Sequence, residues 1–253
     1  MAKNIIFYFS GTGNSLAAAK VIAERLGDCE LVFMKGTFAP AGRYERMGFV
    51  LPSYAQGAPK PAMEFLETLP LAGDSADYVF SVITCNKSGG NASFMLDKAL
   101  RQKGQHINNA QSVRMVGNYV IQYPIPGNAE ELLRKADSQL QIIAAEIEQK
   151  ADTKPPRQYF FNTAFYAIGN RFFRYKEKQL QVSDACTGCG LCAGLCPVGN
   201  IALKDGRPEF LHKNCTNCLA CLHWCPNAAI DCGKATVRRG RYHHPDVTAG
   251  ELL

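Results

Sequence analysis

The stretch N-I-I-F-Y-F-S-G-T-G-N-S-L-A-A-A-K-V-I-A-E-R-L, Asn4 to Leu26, decides the fold. Its first six residues form a short, continuous apolar run, the pattern of a strand buried on both faces of a parallel sheet. Leu16 to Leu26 has a helical pattern, stopped by Gly27. The loop between them holds Ser10, Gly11, Thr12, Gly13, Asn14 and Ser15. Strand, small polar loop and helix together make a phosphate cradle. The helix start leaves N–H groups unpaired, the glycines let the backbone approach, and hydroxyls can donate to phosphate oxygens. A Walker loop needs Lys-Ser/Thr after its last glycine, and the dinucleotide fingerprint needs a third glycine where Leu16 stands. Neither requirement is met. An empty turn of ordinary Gly, Ser and Asn residues is the plain alternative.

The alternation continues beyond this unit. Strands are expected at Cys29–Phe33, Gly48–Leu51, Tyr78–Ile83 and Val113–Gly117, and helices at Ala62–Leu69, Ala92–Lys103 and Ala129–Lys150. Five strands alternating with helices imply an α/β fold, a doubly wound five-stranded parallel sheet. In the order 2-1-3-4-5 a ligand sits at the carboxyl ends of strands one and three. Two loops belong to that edge. P-S-Y-A-Q-G-A-P (52–59) offers Pro52, Ser53 and Tyr54, and T-C-N-K-S-G-G-N (84–91) offers Thr84, Cys85, Asn86, Lys87, Gly89 and Gly90. Both also read as plain Gly/Pro-rich connections, with Tyr54 half buried against a helix.

Nine of the eleven cysteines lie between Cys186 and Cys232. C186-T-G-C-G-L-C-A-G-L-C-P is answered by C215-T-N-C-L-A-C-L-H-W-C-P, so C-x2-C-x2-C-x3-C-P occurs twice. That run holds [4Fe-4S] clusters, and its fourth cysteine serves the other cluster. Cys186, Cys189, Cys192 and Cys225 are therefore expected on one cluster, and Cys215, Cys218, Cys221 and Cys196 on the second. Zinc is the alternative metal, although it draws its cysteines from two short knuckles. A disulfide framework would require export, and nothing in the sequence points to it.

At 253 residues the chain is long enough for one larger and one smaller domain. The expected boundaries are 1–150 for the α/β domain, 151–182 for a connecting helix, 183–232 for a small α+β two-cluster domain and 233–253 for a basic tail. The net charge is +6, and most of the excess lies in residues 151–182, with six basic against two acidic residues. That distribution argues against a nucleic-acid-binding face. In the segment Tyr159 to Tyr175, aromatics recur at helical spacing. Packing into a domain interface is the main expectation for this helix, and peripheral membrane contact the lesser one. There is no signal-peptide pattern and no transmembrane-length apolar run, so a cytoplasmic protein is expected. The turn-rich tail carries His243 and His244, possible ligands or proton carriers, and is expected to make surface contact or to pack back on the body.

With both motifs identified, the chain resembles the EFR-type ferredoxin family, fusions of an N-terminal flavodoxin-like domain with a bacterial two-cluster ferredoxin domain. S-x-T-G-N-S is similar to the FMN phosphate loop of flavodoxins, and Tyr54 stands where a flavodoxin aromatic stacks on the flavin. The resemblance implies FMN, two [4Fe-4S] clusters, and electron transfer with an external redox protein. The later loop departs from flavodoxins, with Lys87 and no acid or aromatic. No general acid, base or nucleophile stands out. A flavin-dependent reductase of a small substrate and a redox-sensing interaction module are the other two classes.

Overall fold

The computed structural model describes residues 2–253, apart from the side chains of residues 173 and 174. Five strands, β1 (Asn4–Tyr8), β2 (Cys29–Phe33), β3 (Tyr44–Pro52), β4 (Ala76–Cys85) and β5 (Asn109–Arg114), form one sheet in the order β2-β1-β3-β4-β5. Every neighbouring pair is parallel. This is the flavodoxin-like doubly wound order. Helices α1 (Asn14–Leu26) and α4 (Ala129–Glu148) cover one face, and α2 (Lys60–Thr68) and α3 (Ala92–Arg101) the other. Burial on both faces explains why β1, β3 and β4 are almost continuously apolar. Gly48 of β3 is required by packing, since a Cβ there would lie 2.2 Å from the Phe80 ring.

β5 begins four residues before the expected Val113 and ends at Arg114. It is an edge strand, N-A-Q-S-V-R, in which only Asn109 and Val113 are buried. Its polarity conceals it from an apolar-run reading.

After α4 the chain runs through α5 (Phe160–Glu177) into a small α+β region. There β6 (Leu180–Val182) pairs antiparallel with β9 (Ile230–Cys232), and β7 (Ile201–Lys204) with β8 (Arg207–Phe210). Asp205 and Gly206 turn the second hairpin with positive φ at both positions, the combination that matches strand twist. Two single turns, α6 (Leu191–Gly194) and α7 (Ala220–His223), follow the cysteine loops. Leu195, Ala220, Trp224, Val247 and Leu252 share one apolar cluster with Leu16 to Ile22 of α1. The small region and the C-terminal tail are thus built onto the sheet, at the end where the strands finish.

Candidate functional site

The cysteines gather into two crossed quartets. Cys186, Cys189 and Cys192 of the first run line one cavity with Cys225 from the end of the second run. Cys215, Cys218 and Cys221 line another with Cys196 from the first. The two loops have the same backbone shape. Left-handed residues occur at Gly188 and Gly190 in one, and at the equivalent Asn217 and Leu219 in the other. Gly188 has no substitute, because a Cβ there would meet the Gly206 carbonyl oxygen at 2.5 Å. The fourth cysteines are also equivalent: the Asn200 N–H donates to Cys196 Sγ and the Ala229 N–H to Cys225 Sγ, both at 3.2 Å.

Each quartet suits a cluster better than a single ion. Among the described residues, no three His, Cys, Asp or Glu side chains converge on a point fit for one metal. A zinc site would draw its sulfurs to about 2.3 Å from a common centre, whereas these stand around a cavity. Burial, followed by the neighbouring cysteines, pushes Cys221 well above the ordinary thiol range. Burial pushes Cys218 up to about 11 and also raises Cys192. Crowded buried thiols become thiolates only when a cation compensates them, and the iron of a cluster would supply that charge. The remaining cysteines lie outside both cavities, and burial raises Cys29 to about 12 and Cys85 and Cys232 to about 11.

The second quartet rests on the loop between β1 and α1. Gly13 is the N-cap, with φ 94°, and its N–H donates to Ser10 Oγ at 3.0 Å. Thr12 Oγ1 accepts from Asn118 Nδ2 at 2.6 Å, and Ser15 Oγ is 2.8 Å from Thr84 Oγ1. Among the described residues, the N–H groups of Thr12, Asn14, Ser15 and Leu16 meet no acceptor. That donor set fits a phosphate.

The surroundings of the loop do not fit the rest of FMN. Ser10, Thr12 and Ser15 are almost wholly buried by protein, with Thr12 2% exposed. Trp224 Nε1 donates to the Gly11 carbonyl at 2.9 Å, and the His244 N–H to the Thr12 carbonyl at 2.8 Å. The Cys218 carbonyl oxygen lies 2.9 Å from the place a Cβ on Gly11 would take, and the His244 and Val247 Cβ atoms 3.0 Å from that of Gly13. Tyr242 donates its hydroxyl to Asn14 Oδ1 at 2.6 Å. The expected tail packing is present, and it closes the loop's mouth.

The ring-side loops are closed as well. Tyr54 and Gly57 exchange backbone hydrogen bonds of 2.8 and 2.9 Å across a turn in which Ala55 and Gln56 have positive φ. The Asn91 N–H donates to the Gln56 carbonyl at 2.8 Å, and Gly90 lies directly against that backbone. Tyr54 does not face an open flavin place. It packs edge-on to Phe9, and its buried hydroxyl lies near Gly11 beside the second cysteine run. Burial and then Cys218 and Cys215 raise this phenol, and it has no hydrogen-bond partner, a state that costs about 1–3 kcal/mol. An orphan donor there fits a sulfur-rich group in the adjoining quartet. Pro52 ends β3, and the N–H of Ser53, the next residue, donates to the Thr84 carbonyl. Cys85 bonds the Val113 carbonyl, Asn86 packs against Gly117, Gly89 packs on Ile83 and Ser112, and Lys87 is exposed.

Asn118, Trp224, Tyr242 and Val247 join this site without having stood out in the sequence, and His244, noted there as a possible ligand or proton carrier, joins it through its backbone N–H and its Cβ. The one available signal was Trp224, the chain's single tryptophan, set inside the second cysteine run.

Residues 178–226 match a family described as a 4Fe-4S dicluster domain. No curated protein matches the chain. Among solved structures, the Megasphaera elsdenii flavodoxin is 17% identical over 56% of this chain and 98% of its own, with a TM-score of 0.38. The Streptococcus pneumoniae flavodoxin is 15% identical over 56% and 98%, with a TM-score of 0.37. Rubredoxin:oxygen oxidoreductase from Desulfovibrio gigas is 17% identical over 59% of this chain and 37% of its own, with a TM-score of 0.38. The C-terminal region is a small ferredoxin-like 4Fe-4S domain, and the strand order makes the sheet flavodoxin-like. The combination supports a role in redox electron transfer.

Proposed function

We propose that the chain is an electron carrier holding two [4Fe-4S] clusters, one on Cys186, Cys189, Cys192 and Cys225, the other on Cys215, Cys218, Cys221 and Cys196. The crossed quartets around two separate cavities carry this reading. A bound cluster takes up and gives back one electron, and the protein sets its potential through burial and hydrogen bonds to sulfur. The N–H groups of Asn200 and Ala229 serve that purpose at the two crossing cysteines. Cys189 is exposed while the second run is pressed against the sheet domain, so the first quartet faces an external redox protein. FMN has no part in this reading, because the second cysteine run and the tail pack on the loop that would hold it.

The test is iron and sulfide analysis of anaerobically reconstituted protein, with EPR of the reduced state. Two four-iron clusters with interacting spectra are expected; stoichiometric zinc, or a single cluster, would overturn the reading. Tyr54→Phe keeps the ring and removes the orphan donor. The second cluster's potential is then expected to fall, because its reduced, more negative state loses a hydrogen bond. EPR-monitored redox titration measures this, and an unchanged potential would remove Tyr54 from the site.

A further inference from the structure

α5 is built inside out. The side that meets the protein is polar and small: Tyr166 donates to the Ala58 carbonyl at 2.8 Å, Gly169 lies against Ala55, and Asn91 bonds Thr163 at 3.1 Å. Glu177, the helix's one acid, is buried and accepts from Asn200 at 2.8 Å. Phe160, Phe161, Phe165, Ile168, Phe172 and Tyr175 point outward, with Phe161 85% exposed. The expected packing of this aromatic face into a domain interface is therefore not found. An apolar stripe along an 18-residue helix, roughly 27 Å at 1.5 Å per residue, is far more than scattered surface residues explain.

The charges around the stripe select what covers it. Arg157, Arg171 and Lys178 are exposed beside it, and the outward side of the helix carries no carboxylate. A second copy would set the basic side chains of one helix against those of the other, with no outward acid on either helix to pair. An anionic lipid surface complements both features, taking aromatic rings at the headgroup boundary and basic side chains on lipid phosphates. The helix does not cross the bilayer, because no helix among the described residues is long and apolar enough. We propose that α5 is an interfacial helix that seats this chain on an anionic membrane surface.

The test is flotation of the full, cluster-loaded chain with vesicles of phosphatidylcholine alone or mixed with phosphatidylglycerol. Binding to the anionic vesicles is expected to exceed binding to the neutral ones by roughly tenfold or more, and to weaken as salt rises. Phe161→Ser with Phe165→Ser is expected to abolish flotation while the chain keeps its clusters and elution volume, since both side chains are exposed. Absence of flotation with either vesicle would overturn the proposal, as would equal flotation of the variant. A wild-type dimer that the same variant converts to monomer would also overturn it, in favour of self-association.

Discussion

Cys225→Ala is expected to damage the cluster held by Cys186, Cys189 and Cys192, and to spare the one held by its own sequence neighbours. In the chain Cys225 lies four residues from Cys221, yet its thiol opens on the other cavity. Loss of one thiolate leaves a three-iron product that EPR distinguishes from a four-iron cluster, so the affected site can be identified. Cys196→Ala should give the mirror result, damaging the cluster of Cys215, Cys218 and Cys221. Stability should fall in both variants. Each cluster ties the first run to the second, and metal binding free energy is folding free energy for a domain this small. Either substitution altering the cluster next to it in sequence would show that the quartets are not crossed when loaded.

The sheet was legible where burial on both faces forced an apolar run, as in β1, which starts at the expected Asn4 and ends at Tyr8, one residue short of the expected Phe9; the partly buried edge strand β2 also has the expected bounds, Cys29–Phe33. It was less legible at the other edge, where Asn109–Arg114 presents polar side chains to solvent. The cysteine quartets were readable from spacing because a cubane imposes its geometry through short covalent tethers. The environment of the Ser10–Ser15 loop was not readable in the same way. What meets that loop comes from Asn118, Trp224, Tyr242, His244 and Val247, about 100 to 240 residues away in the chain, through isolated side-chain and backbone hydrogen bonds and van der Waals contact that leave no local sequence pattern. α5 misled for a related reason. Amphipathic spacing reveals that one face differs from the other, not which of them the protein buries.

The chain with both clusters in place is expected to show no saturable FMN binding, although its loop keeps the donors for a phosphate. FMN and the pair formed by the Cys215–Cys221 run and the tail compete for one place, so apparent affinity is reduced by the fraction of molecules that stand open. Loosening the closed arrangement should therefore raise FMN affinity. Tyr242→Phe removes the hydrogen bond to Asn14, and Val247→Ala removes methyl groups packed on Gly13. Together these changes weaken closure by about 2–3 kcal/mol, taking about 1 for the hydrogen bond and 1–2 for the methyl groups. At 1.4 kcal/mol per factor of ten, FMN should bind roughly 30- to 100-fold more tightly to the double variant than to the parent chain. Quenching of FMN fluorescence under anaerobic conditions measures this, with iron content checked in parallel so that cluster loss is not mistaken for opening. A parent chain that carries stoichiometric FMN, or a variant that binds no better than the parent, would show that the loop's mouth is not closed in solution.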